Sequence, residues 1–195
     1  MRHLKFAVVL FIVTTLIGCA SVPKTNDPAK KLEYANELAG EEHRPIPAEK
    51  LIQEAIMIYS DRQDDDGLAM AYRTYGMFFR SAAVLIWRKY YKKYGFLEVE
   101  ASFDNRFNNS IDFFKKAESI YLKQDRLDKL RDVYLHMGIT YKVAEYIDSA
   151  CKFYKKSKEK DKEYLQTNPG QISDIPNNFN SYQEYIDQHL TSLMC

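Results

Sequence analysis

The sequence predicts an all-α protein: a short array of helical hairpins, interrupted by one insertion and closed by a C-terminal capping helix. Three observations predict it. The chain repeats itself: residues 55–79 align without a gap to residues 117–141 at an offset of 62, and Ala55, Ile58, Tyr59, Leu68, Tyr72 and Gly76 recur as Ala117, Ile120, Tyr121, Leu130, Tyr134 and Gly138. Self-similarity of this kind marks architectures in which each unit buries its apolar face against the next. Only 7 Gly and 6 Pro occur in 195 residues, too few for a many-turned sandwich or barrel. A hydrophobic content of 46% in a chain of single-domain length is enough to bury a core and excludes a wholly disordered chain.

Residues 1–18 read as an address. Arg2 and Lys5 precede a thirteen-residue run without a charge, Phe6 to Gly18. That is short of the ~20 residues a helix needs to span a bilayer, and it fits the basic-then-apolar pattern of a secretory signal. Leu16-Ile17-Gly18-Cys19 resembles the lipobox of bacterial lipoproteins. The resemblance implies cleavage before Cys19 and acylation of its thiol, and Ala20 in the next position implies the outer membrane, with the domain facing the periplasm. Residues 19–31, polar and carrying Pro23 and Pro28, read as the lipidated Cys and its tether. Without residues 1–18, 177 residues carry 26 basic and 27 acidic side chains, and a chain so balanced lacks the cationic excess that nucleic-acid binding requires.

Residues 32–164 hold the array. In its last unit Tyr134, Met137-Gly138 and Tyr141 lead to Ala150, Tyr154 and Ser157. In the middle unit Tyr72, Tyr75-Gly76 and Phe79 lead to Ser110, Phe114 and Ala117, and a degenerate first unit uses Leu32, Ala35 and Ala39, then Ala48, Ile52 and Ala55. This pattern resembles the tetratricopeptide repeat, in which a Gly on helix A and a small residue on helix B let two antiparallel helices approach closely. The chain departs from that family in placing Tyr where its Trp stands and in lacking its closing Pro.

The interval from Gly to the small residue is 12 in the last unit, Gly138 to Ala150, and 34 in the middle one, Gly76 to Ser110: an insertion of 22 residues, within about 81–109. Its apolar start predicts that helix A runs on to about Tyr94, stops at Gly95 and returns through Phe96 to Asn109. Two readings stand for it. It covers one face of the array, or its aromatics Trp87, Tyr90, Tyr91 and Tyr94 meet a partner or the membrane surface.

Residues 165–195 form a linker and the capping helix. Breakers fill residues 166–180, and Tyr182, Tyr185, Ile186, His189, Leu190 and Leu193 then follow helical spacing. With Cys19 acylated, Cys151 and Cys195 remain in an oxidising compartment, either as a disulfide or as two thiols with Cys151 buried.

No catalytic or metal motif stands out. His43 and His136 have no ligand partner at helical spacing, and Arg62-Gln63-Asp64-Asp65-Asp66-Gly67 fails as a calcium loop at its first and twelfth positions, reading instead as a turn and N-cap. The family resemblance implies a groove lined by Met70, Arg73, Met77 and Arg80 and by Asp132, Leu135, Ile139 and Lys142. Three cations over an apolar floor suit an acidic or C-terminal carboxylate peptide. The function expected is a non-enzymatic, membrane-anchored binding module, an adaptor or an assembly or secretion accessory that docks an envelope or periplasmic protein. An immunity lipoprotein neutralising a toxin and an envelope enzyme with a scattered site are the other readings. No cofactor is expected beyond the lipid on Cys19.

Overall fold

The structure, a computed structural model, describes Val22, residues 24–173 and residues 175–195; the address segment and Cys19 lie outside the described residues. Among these the chain is all α. Its helices are α1 (Pro28–Gly40), α2 (Pro45–Asp61), α3 (Asp65–Phe79), α4 (Ala82–Ile86), α5 (Arg88–Tyr94), α6 (Arg106–Lys123), α7 (Leu127–Val143), α8 (Ile147–Thr167) and α9 (Tyr182–Ser192). The most extensive pairings are α1 with α2, α3 with α6 and α7 with α8. These are three hairpins; α2–α3 and α6–α7 contacts join them in sequence, and α9 closes the last on α8.

The helix boundaries follow from local chemistry. The Asp27 carboxylate caps α1, Asp64 accepts from the Gly67 amide to start α3, and Ser181 accepts from the Glu184 amide to start α9. The turns after α2, α6 and α7 share one hydrogen-bond pattern. Asp64, Arg126 and Tyr146 donate their amides to the carbonyls of Tyr59, Tyr121 and Tyr141, five residues back. Gln63, Asp125 and Glu145 sit in the left-handed region at φ 54°, 52° and 65°. This is the Schellman closure, built here without glycine.

Two hairpins close on one contact. A Cβ on Gly76 would lie 2.8 Å from the Phe114 ring, and one on Gly138 would lie 2.8 Å from the Tyr154 ring. Beside these contacts Ser110 is fully buried and donates to the Gly76 carbonyl at 2.7 Å, and Ala150 is likewise fully buried.

The insertion differs from expectation. Helix A does not run on to Tyr94: α3 ends at Phe79, Ser81 adopts an extended conformation and caps the separate α4, and a further break at Trp87 starts α5. The chain then stops at Gly95, as expected, at φ 74°. The Ser81 hydroxyl supplies the reason, because it accepts from the Val84 amide and begins a new helix where the apolar run reads as a continuation. Ala83, Val84, Tyr91, Phe96, Ala101 and Phe103 of the insertion join the core that contains Tyr75, Phe78, Phe79 and Phe113. Tyr91, expected on a partner-facing aromatic surface, is therefore a core residue, 1% exposed.

Glu49 of α2 fastens this arrangement. Its carboxylate accepts from the Tyr75 hydroxyl at 2.7 Å and from the Leu97 amide at 2.8 Å, tying the middle of the insertion to the first hairpin. Burial, opposed by these hydrogen bonds, pushes its pKa up from 4.5 to about 7.

Two predictions follow from these contacts. Gly138→Ala gains about 1 kcal/mol of helix propensity but forces a methyl into the Tyr154 ring, and overpacking of ~1–3 kcal/mol outweighs it. Gly40→Ala, with nothing within 4 Å of its Cβ, raises stability instead; chemical denaturation of the two variants gives opposite signs. For Glu49, the folded chain holds a proton that the unfolded chain has released between pH 4.5 and about 7, so its contribution favours folding at acid pH and is lost as pH rises through that window. Glu49→Gln removes up to about 3 kcal/mol of this pH dependence, read as the wild-type-minus-variant difference in unfolding free energy from pH 4 to 8.

Candidate functional site

Arg73 lies within α3 and Arg80, seven residues on, is the residue that caps its C-terminal end. Both reach across the hairpin boundary to one side chain of α7. An Arg73 Nη2 lies 3.0 Å from His136 Nε2, and an Arg80 Nη2 lies 2.9 Å from His136 Nδ1. The Phe114 ring stacks on the imidazole, with centroids 5.9 Å apart and planes at 13°. Burial, reinforced by the two guanidinium charges, holds the His136 pKa well below its usual range, so the ring is neutral.

A neutral imidazole has one accepting nitrogen and one N–H. It can therefore satisfy one of the two arginines, and the other meets a donor. Further donors are left over: the Nε atoms of Arg73 and Arg80 are buried without a hydrogen-bond partner. No carboxylate lies within ion-pair distance of either arginine among the described residues. Burial lowers the Arg80 pKa, Arg73 lowers it further, and the Tyr154 and Tyr185 hydroxyls oppose the shift.

The site continues along α8 and α9. Tyr154 stacks face to face on His189 at 4.7 Å, and Tyr185 meets His189 edge-on at 4.8 Å. The Tyr154 hydroxyl and His189 Nε2 are also buried without partners. Burial lowers the His189 pKa, and Lys142 lowers it further. Lys142 itself reaches Ser192 Oγ at 3.4 Å. Arg73 and Arg80 thus converge on His136, and Tyr154 and His189 form a second stacked pair.

The other side chains expected in the groove are half-buried. Met70 packs on the first core cluster and Met77 on the second. Leu135 and Ile139 pack, half-buried, against the cluster of Ala150 and Tyr154 of α8 and Tyr182 and Ile186 of α9. Asp132 pairs with Arg131 at 3.2 Å. His136, Tyr185 and His189, absent from the expected groove, are central to the cluster. The contacts of His136 to Arg73 and Arg80 span 63 and 56 residues, so no local spacing announces them.

Arg131 provides the contrast. It is 4% exposed, and it meets both Asp132 and Asp161 at 3.2 Å. Asp161 also accepts from Ser173 and from Gln183, the latter at 2.7 Å, so this network docks the linker and α9 on the last hairpin. At Arg131 the buried guanidinium is thus met by carboxylates.

On the insertion, Trp87, Tyr90 and Tyr94 form a ladder with ring centroids 6.1 and 5.0 Å apart. Cys151 and Cys195 are joined as a disulfide, Cα atoms 5.8 Å apart, which ties the end of the chain to α8.

For a sequence separation of 44, loop-closure entropy puts the stabilisation by this disulfide at up to about 4 kcal/mol. Cys195→Ser lowers the unfolding free energy by that much or less, and hydrogen exchange in α9 rises more than in α3 or α6. No protein-family model matches the chain, and neither a curated protein nor a solved structure matches it.

Proposed function

We propose that this chain is a non-catalytic binding module of tetratricopeptide type, anchored to the outer membrane by lipid on Cys19 and facing the periplasm, that docks an anionic segment of an envelope protein. The observation that carries the reading is the pair Arg73 and Arg80, set on one imidazole with no carboxylate beside them. An acceptor-only group, an acidic side chain or a C-terminal carboxylate, resolves the excess of donors: it takes hydrogen bonds from both guanidinium groups and leaves His136 with a single one. The Tyr154 hydroxyl and His189 Nε2, also buried without partners, offer further polar groups, and Lys142 is the third cation of the expected groove. Hairpin order, the glycine contacts and the C-terminal helix support the family reading; Leu16-Ile17-Gly18-Cys19 supports the anchor. An anchored module works at high local concentration, so a modest intrinsic affinity is sufficient.

Arg80→Glu tests this directly. The substitution supplies Arg73 with an internal carboxylate, so the fold is retained while the site is closed. Crosslinking and mass spectrometry from native membranes should capture one envelope protein with the wild type and lose it with the variant at equal abundance and helicity. Truncating such a charge contact costs about 2–5 kcal/mol of binding, enough to abolish capture. The same protein captured equally by both would remove the arginine pair from the binding site.

A further inference from the structure

The insertion has two faces. Tyr91 and Phe96 stack on each other at 4.3 Å and point into the core. Left outside are Leu85 at 50% exposure, Ile86 at 58%, Tyr94 at 62% and Leu97 at 55%, with Trp87 at 38%. Arg88, Lys89 and Lys93 are exposed among them, and no acidic side chain occurs from Ala82 to Leu97. Lys92 is occupied by Asp104 at 3.1 Å; Arg88, Lys89 and Lys93 have no ion pair among the described residues. Lys93 lies over the Tyr94 ring at 4.7 Å, placing a cation directly on the aromatic ladder.

The chain's N-terminal end reaches the same part of the molecule. Going back from α1, it runs to Val22, which lines a cleft with Pro47, Lys50 and Leu51 in the first turns of α2. Trp87 Nε1 donates to the His43 carbonyl at 3.0 Å, just ahead of α2, and the Leu97 amide bonds Glu49 within its first two turns. Tether and insertion therefore meet one end of α2. Cys19 precedes Val22 by three residues, a reach of at most about 11 Å.

We infer that the outer face of the insertion seats on an anionic bilayer surface, with Trp87 and Tyr94 at headgroup depth and Arg88, Lys89 and Lys93 against the lipid phosphates. The inference rests on the lipid anchor at Cys19, which brings this end of the chain to the membrane. Tyr and Trp favour the bilayer interface, and cations beside them are attracted by its negative surface potential. Contact at this end leaves the arginine pair, between α3 and α7, free for a partner.

Trp87 is the only Trp in the chain, so its emission reports this face alone. The full chain is purified from membranes, its N-terminal peptide is weighed to read the lipid on Cys19, and it is reconstituted in phosphatidylglycerol-rich or pure phosphatidylcholine vesicles with plain or brominated acyl chains. In anionic vesicles the brominated lipid should quench Trp87 roughly twofold, as expected for an aromatic seated at the acyl boundary. The variant Arg88→Glu, Lys89→Glu, Lys93→Glu, equally helical, should lose the quenching, and Arg80→Glu should keep it. Equal Trp87 emission in plain and brominated vesicles overturns the membrane seat, as does quenching that survives the triple reversal. Shielding of Trp87 that appears only when a soluble envelope protein is added overturns it in favour of a protein dock. A chain without lipid on Cys19 that is still quenched upholds this surface and removes the anchor; lipid without quenching does the reverse.

Discussion

The close approach of helix A to helix B, a glycine against an aromatic ring, sets the geometry of both central hairpins and of the site they carry. Gly76 lets Phe114 lie where a side chain would stand, and Gly138 does the same for Tyr154. The two rings are also site residues. Phe114 stacks on His136 and fixes the plane in which the imidazole meets Arg73 and Arg80. Tyr154 stacks on His189. A side chain at either glycine would push the helices apart and move a wall of the donor cluster. Packing and function therefore share the same atoms, and interiors packed at crystal-like density transmit such displacements rather than absorb them.

The insertion solves a different problem with the same economy. An array this short leaves the α2–α3 edge open, and Val84, Tyr91, Phe96 and Phe103 close it over Tyr75 and Phe79. Glu49 holds the closure in place through Leu97 and Tyr75, a buried carboxyl whose partners are all donors. Because the inward residues already complete the core, the outward ones are not explained by packing. Their composition, aromatic and cationic, is what the proposed membrane seat requires.

Much of the fold is legible in the sequence because its determinants are local or repeated. The offset of 62 that relates Gly76 to Gly138 also relates the turn residues Gln63 and Asp125, which share left-handed geometry and the same closing hydrogen bonds. The capping helix is legible from Ser181 and the spacing that follows it. The break at Ser81 is not, because a serine between Phe79 and Ala82 is compatible with a continuing helix and only the Val84 contact decides it. Of the site, Arg73 and Arg80 can be placed on one face by counting, but the ring they share cannot. His136 lies far along the chain and is brought to them by the α6–α7 stacking of one hairpin on the next. The position of α9 is illegible for a related reason: it depends on the Asp161 network and the Cys151–Cys195 bond, both nonlocal.

That network also bears on why the arginine pair is left unsatisfied. The fold can surround a buried guanidinium with carboxylates, and it does so at Arg131, where Asp132 and Asp161 accept from it. Two acids of the same kind near Arg73 and Arg80 would relieve like-charge repulsion and pair the orphaned Nε donors, and a module selected for stability alone would gain from them. Their absence leaves donors and charge aimed at one place on a frame that is otherwise rigid: α7 and α8 are the most extensively packed pair, and α9 is held by side-chain hydrogen bonds and by a covalent link. On the proposed reading, a ligand carboxylate would not have to order such a frame first and would supply the acceptors that the chain omits. Stability withheld at the arginine pair would then return as affinity for the anionic segment, the compromise expected of a binding site.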